Sequence, residues 1–417
     1  MRDIKISTWF IWGLTVFFAA YQFVLRLSPG ALYDDIMVKF QIDATTFAIM
    51  SGAYYLGYAG MQLPIGILLD KFGVRIIVTT CLIICVIGNL PLIYSDSWLL
   101  VLGGRFLIGF GSAAAILGAI KIVRTNFDND QISKMIGWTI TVALLGGIYG
   151  KKINTLLIES FGWEKAMIYL TVPGLVIALL VFIFAKSENN SEEEIVKGSI
   201  FDALSAVVKN PQILLIAIAG AFLVGPFEAF ADVWGSPFFV KVFGFSKDQA
   251  DYLSAGAIYL GMCIGSPLLA WFADKYQCHY RINVTCGLAM AAICAAIIFK
   301  LTNNFYILFA LNLMIGIFSA YQVIVFATVT NIIPANISGI ALSYVNMINM
   351  GSGYAFHYGF GKILHLSWDG ALNENLPNYL AKDYINAMYV LPITLLIGSL
   401  MFIAISPRSK ENTSAIA

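Results

Sequence analysis

The chain is poor in charge. Lys, Arg, Asp and Glu make up 12% of its 417 residues, against roughly 25% in soluble globular domains. It has three histidines, none at metal-ligand spacing. Its six cysteines form no CxxC pair, so the spacing offers neither a disulfide framework nor a thiolate metal site. A net charge of +1 gives no basic balance that would point to nucleic acid. Long polar stretches are missing except for Lys186 to Asn210, so there is no room for a soluble catalytic domain. No Ser/His/Asp, histidine-rich or paired-acid catalytic constellation stands out, and we expect no enzyme activity and no cofactor. The first apolar run continues past Leu25 without a small-residue cleavage site, which predicts a retained helix, not a removed leader.

Apolar residues are abundant: 59% of the chain, with mean hydropathy +0.81. About 20 such residues cross a bilayer as a helix. Twelve segments qualify, near 8–33, 44–69, 76–94, 98–123, 136–158, 165–185, 212–240, 252–273, 281–300, 304–330, 338–365 and 384–405. The expected fold is an all-α membrane protein. A six-helix bundle over 1–186 joins a second over 211–417 through a cytoplasmic linker, 187–210, that contains Glu192, Glu193 and Glu194. With the N-terminus inside, inner segments hold fourteen Lys and Arg and outer ones six. That bias places both termini in the cytoplasm.

The stretch Gly66-x-x-x-Asp70-Lys71-x-Gly73-x-Arg75 ends the second apolar segment. Gly66 allows close helix contact, and Gly73 allows a tight turn with φ above zero. Lys71 and Arg75 mark the turn as cytoplasmic. A degenerate copy follows 204 residues later: Ala53-Tyr54-Tyr55-Leu56-Gly57 returns as Ala257-Ile258-Tyr259-Leu260-Gly261, and Asp70-Lys71 as Asp274-Lys275. Arg105-x-x-x-Gly109 likewise returns, offset by 207, as Asn312-x-x-x-Gly316. The chain therefore reads as two homologous halves. This motif and its echo resemble the loop signature of the major facilitator superfamily, and Arg105-x-x-x-Gly109-x-Gly111 resembles its fourth-helix motif. The resemblance implies two pseudo-symmetric six-helix bundles and transport by alternating access. It also implies a gating role for the two Asp-Lys turns and a link between Arg105 and proton transfer. Asp70 would latch onto the N-terminus of the eleventh helix, and Asp274 onto that of the fifth.

Ionisable side chains inside a membrane are expensive and usually face the bundle interior. Arg26 sits late in the first helix, with Gln22 one turn away and Tyr21 close by. Either it holds a substrate carboxylate or it snorkels to the headgroups. Lys151 and Lys152 point about 100° apart on one helix, so one lines the path and the other turns outward. Glu228 and Asp232 are four apart and share a face. As neighbouring carboxylates they are candidates to carry a coupling proton, with Asp232 alternatively pairing a lysine. Trp234 follows at a Gly-Pro bend, and Asn346 lies on a polar face of the eleventh helix with Asn349. His357 is either a titrating group or a hydrogen-bonded packing residue.

A finer resemblance rests on Tyr21 to Pro29, Asn210-Pro211-Gln212-Ile213 and Trp234-Gly235-Ser236-Pro237-Phe238-Phe239. These runs resemble the phagosomal transporter branch of intracellular bacterial pathogens, which is similar to the lysosomal dipeptide-carrier branch. This implies a monomeric inner-membrane carrier that takes up an amino acid or short peptide, with protons as coupling ion. A siderophore or polycarboxylate carrier or exporter of the same superfamily is the alternative. A non-transporting receptor would need an output surface that such short loops do not offer.

Overall fold

The computed structural model describes residues 6–186, 200–276, 278–334, 337–373 and 376–405. Those residues are almost wholly helical. The first half holds α1 (Ile6–Ala31), α2 (Tyr33–Phe40), α3 (Ala44–Tyr94), α4 (Trp98–Ser112), α5 (Ala114–Asn126), α6 (Asn129–Phe161) and α7 (Trp163–Phe184). Next come α8 (Ile200–Val208), α9 (Pro211–Ala229), a π-helical turn at Phe230–Trp234, α10 (Gly235–Phe243) and α11 (Lys247–Asp251). A second π-helical turn, Tyr252–Gly256, leads into α12 (Ala257–Tyr276). The chain continues through α13 (His279–Ile298), α14 (Phe305–Ser319), α15 (Tyr321–Thr330), α16 (Ser338–Ser367), α17 (Ala381–Met388) and α18 (Val390–Ile405). A two-residue antiparallel ribbon pairs Leu372–Asn373 with Leu376–Pro377. The acidic run Glu192 to Glu194, and the part of the expected linker before Ile200, lie outside the described residues.

Among the described residues, ten helical runs are long and apolar enough to cross a membrane. One of them, α3, has 51 residues and breaks at Gly73, where φ is 74° and ψ 167°. Its two arms flank the same stretch of α4: Gly57 lies against Phe106, and Gly88 against Gly104. It therefore crosses twice. The 30-residue α16 is the remaining span. Asn346, Asn349, Ser352 and His357 lower its hydropathy, and it packs between α3 and α9. These two features bring the count to the twelve expected crossings. Helix starts follow local chemistry. Pro211 needs no N–H partner at the first turn, and the Asn210 side chain accepts from the N–H groups of Gln212 and Ile213.

Small residues set the helix crossings, as they do where lipid gives no hydrophobic drive for helices to meet. A Cβ on Gly109 would overlap the Tyr54 backbone, and one on Gly316 would overlap that of Ile258. The two crossings are equivalent under the sequence repeat. Gly146 presses on the Ala20 backbone, and Gly150 on Leu27 and Val24, so α6 lies close along α1. Gly66 departs from expectation: a Cβ there would meet nothing within 4 Å, so it makes no close helix contact. We expect Gly109→Leu to force α3 and α4 apart at an overpacking cost of about 1–3 kcal/mol. It should lower the apparent Tm in detergent. Gly103→Ala, whose added Cβ enters open space, should leave Tm unchanged.

Candidate polar site between the two halves

The last turn of α1 touches the π-helical turn after α9. Gly30 permits this contact, because a Cβ there would overlap the backbone carbonyl of Asp232. The wider turn at Phe230–Trp234 begins between Glu228 and Asp232 and re-aims the second carboxylate. Both acids meet Arg26. The guanidinium donates from Nε to Asp232 Oδ2 (2.7 Å) and from Nη2 to Oδ1 (3.2 Å), a bidentate grip. Nη2 also pairs with Glu228. All three side chains are buried.

Two tyrosines complete the cluster. The Tyr55 hydroxyl on α3 lies between Asp232 Oδ2 (2.5 Å) and Glu228 Oε2 (3.1 Å). Tyr259 on α12 accepts from Arg26 Nη2 (3.2 Å) and donates to Asp232 Oδ1 (2.9 Å). Asp232 thus has both oxygens bound, and the Arg26 charge also lies 5.1 Å from the Tyr55 ring centre and 5.3 Å from that of Phe23. Arg105 on α4 braces the cluster from behind, donating to the carbonyls of Leu25 (2.8 Å) and Arg26 (3.1 Å). Two residues after Asp232, Trp234 is buried and stacks edge to face with Tyr33 and Phe47, which also stack edge to face with each other.

The remaining expected site residues fall elsewhere. Tyr21 donates to the carbonyl of Leu170 on α7 (2.7 Å) and turns away from Arg26, so the sequence proximity of the two misled. Gln22 accepts from Tyr54 (2.6 Å). Lys151 is 1% exposed and lies 3.4 Å from Ser254 Oγ and 3.9 Å from Asp251, in a second polar group between α6 and the second π turn. Lys152 pairs with Asp248 at 2.6 Å. Asn346 donates to Gln62 (2.9 Å), two turns along α3 from Tyr55. Asp232 pairs with an arginine where a lysine was the alternative. Arg26 is held by the protein's own carboxylates, where an open cation was expected.

At the turns, Asp70 bonds Lys121 on α5 (2.9 Å). Lys71 lies over Phe72, Arg75 over Phe182, and Lys275 over Trp271. Asp274 is exposed near the end of α12. Tyr55 and Tyr259 join the cluster although neither is conspicuous as a single residue in the sequence. The signal was present, because they are equivalent tyrosines of the repeated Ala-x-Tyr-Leu-Gly run. His357 is buried beside the Tyr55 ring (5.4 Å), and neither ring nitrogen has a hydrogen-bond partner among the described residues.

Removing one partner from a buried ion pair costs about 3–5 kcal/mol when it leaves an uncompensated charge. Arg26→Gln strands two carboxylates, whereas Asp232→Asn leaves Arg26 with Glu228. We therefore expect Arg26→Gln to lower the apparent Tm at pH 7.5 more than Asp232→Asn does. Equal losses would mean that the charge count does not hold the cluster together.

The sequence profile of the Major Facilitator Superfamily matches residues 10–356. Among curated proteins, the chain is similar to the "Uncharacterized transporter YybO" of Bacillus subtilis (strain 168). That match is 26% identical over 178 residues, 43% of this chain and 40% of that one. The chain is also similar to a putative tartrate transporter of Agrobacterium vitis, 22% identical over 337 residues, 73% of this chain and 74% of the other. It spans from 40% to 65% of the length of the first curated relatives it matches. Among solved structures, its fold matches a bacterial homolog to the human lysosomal transporter Spinster, inward-facing and occupied. The TM-score is 0.76 over 96% of this chain and 97% of that one, at 16% identity.

Proposed function

The chain belongs to the Major Facilitator Superfamily, and from that premise we propose that it is a secondary carrier for a small carboxylate-bearing solute. The solute is an amino acid or short peptide, taken up by alternating access across a bacterial inner membrane. Protons are the coupling ion, and one chain is the working unit. The observation that carries this reading is the buried Arg26–Asp232–Glu228 cluster, built from α1 on one side and α9 with its π turn on the other. Charges in a bilayer interior are rarely kept without a task.

The chemistry is an exchange of partners. A proton arriving at Asp232 or Glu228 removes one negative charge from Arg26, and a substrate carboxylate takes its place on the guanidinium. When the proton leaves on the other side, the internal pair re-forms and expels the substrate. Tyr55 and Tyr259 keep the carboxylates hydrogen-bonded in either state. On the orientation that the Lys and Arg bias favours, Trp234, Tyr33 and Phe47, beside the Gly30 end of α1, form the outer seal. The finer kinship we favour is with phagosomal amino-acid carriers of bacteria that live inside cells. A polycarboxylate carrier is the second reading, favoured by the similarity to a putative tartrate transporter.

In proteoliposomes with an inward proton gradient we expect concentrative uptake of an amino acid but not of tartrate. Asp232→Asn should abolish accumulation while substrate counterflow persists at more than about a tenth of the wild-type rate, since exchange needs no net proton movement. Uptake of tartrate alone would transfer the assignment to the polycarboxylate reading. Gradient-driven accumulation that survives both Asp232→Asn and Glu228→Gln would remove the cluster from coupling.

A further inference from the structure

Away from the buried cluster, the two halves meet again where α3 begins and α16 ends. The last turns of α16 press on the start of α3, because a Cβ on Gly361 would overlap the Ala44 carbonyl. One turn later, His365 reaches back across the seam. Its Nε2 lies 3.5 Å from Asp43 Oδ2, and its Nδ1 lies 3.0 Å from the Tyr379 hydroxyl. That hydroxyl accepts from the Ala44 N–H (3.1 Å), and Asp43 Oδ1 caps α3 by accepting from the Thr46 N–H (2.7 Å). One imidazole thus ties the second half of the chain to the first turn of α3 in the first half.

A corresponding seam runs between α6 and α12. A Cβ on Gly147 would meet the Tyr259 ring there, as one on Gly353 would meet the Tyr55 ring between α16 and α3. That second seam is tied by Lys152 and Asp248 (2.6 Å). The two ties differ in one respect. Lysine is charged throughout the neutral range, whereas imidazole is the side chain whose ordinary charge change falls between about pH 5 and 8.

We propose that His365 and Asp43 form a pH-sensitive latch that holds the outer side of the carrier closed in acid and releases it as the pH rises. The proposal rests on the alternating-access reading and the orientation given above. The two side chains are 27% and 32% exposed, so protons from the adjoining solution reach them. A neutral ring accepts from Tyr379 at Nδ1 and donates to Asp43 from Nε2. A protonated ring donates from both nitrogens: the Tyr379 bond reverses, and the Asp43 bond becomes charge-assisted. The contacts stay the same and strengthen. The imidazolium meets Asp43 only when this side is closed, so closure favours the proton and acid favours closure. Other charges nearby are engaged. Asp369 pairs with Lys382 at 3.0 Å, and Asp383 on α17 accepts from the Leu380 N–H (2.8 Å). Asp34 on α2 interacts with Tyr33 and Tyr384, and Lys362 lies one turn earlier on α16 itself.

The test is the distance between spin labels on the outer turns of the two halves, at Asp96→Cys and Asn303→Cys, both exposed. The full-length chain carries Cys263→Ser and Cys278→Ser so that its half-buried thiols stay unlabelled. The outer-open fraction is read at about pH 6 and about pH 8, on either side of the ordinary imidazole range. It should rise about two- to fivefold with pH, the scale of a partly exposed ion pair. His365→Gln, which hydrogen-bonds without a charge, should remove most of that rise and stay at the alkaline value. His365→Arg, charged at both values, should stay at the acid one. Asp248→Asn should raise the fraction at both and keep the ratio. Two outer distances whose populations ignore pH in the wild type, or a pH response unchanged in His365→Gln, would overturn the latch and leave alternating access standing. One fixed outer distance in every variant at both pH values would overturn both.

Discussion

A guanidinium held out of water has to be answered where it stands. Arg26 is 6% exposed near the end of an apolar helix, and an unpaired charge there would cost several kcal/mol. The neighbouring structure supplies that answer. Gly30 lets α1 lie directly on the turn that carries Asp232. The π turn points Asp232 at the guanidinium while Glu228, one turn earlier, still reaches it. Arg105 ties down the Leu25 and Arg26 carbonyls and fixes the helix from which the charge projects. Loosening any of these supports makes Arg26 harder to satisfy.

The frame around this charge is nearly symmetric, but the charge itself is not. Tyr55 and Tyr259 occupy equivalent repeat positions and reach the same carboxylate from opposite sides. The crossing at Gly109 is matched by the crossing at Gly316. Yet Arg105 is answered by the uncharged Asn312, which donates to the Leu308 carbonyl of its own helix. Arg26 has its counter-charges in the second half of the chain. A duplicated scaffold supplies two equivalent sets of positions, and putting a cation in one set and anions in the other makes the halves attract through their interface. Two copies of the same charge would repel there.

Much of this was legible in the sequence, for reasons that differ by feature. Twelve spans showed because apolar length is a local property, and Gly73 showed because a reversal with positive φ needs glycine. Arg26, Glu228 and Asp232 each stood out, since charge in an apolar run is conspicuous. Their pairing did not, because Arg26 and Asp232 are 206 positions apart and no local pattern encodes that contact. Tyr21 misled in the opposite way. It is five positions before Arg26, but its hydroxyl goes to α7. Lys151 showed the right burial but belongs to a second polar group with Asp251. Tyr55 and Tyr259 were in view as repeat markers, and only the fold shows that equivalent tyrosines converge on one carboxylate.

The same bond that satisfies Arg26 fastens one half of the chain to the other. If it were permanent it would hold the carrier in one state, because a buried ion pair with good geometry does not open without a replacement partner. On the proposed reading the replacement comes from the cargo. An amino acid offers Arg26 a carboxylate, so that charge remains answered while the halves change their contacts. A proton offers Asp232 a different exit, since neutralising it leaves the guanidinium free to take the substrate anion. Either route keeps the number of unanswered charges near zero throughout the cycle. That condition ties movement of the helices to occupancy of the site. It also explains why the tyrosines matter: a hydroxyl can hold a carboxylate as donor or a carboxylic acid as acceptor, and so serves both protonation states without moving.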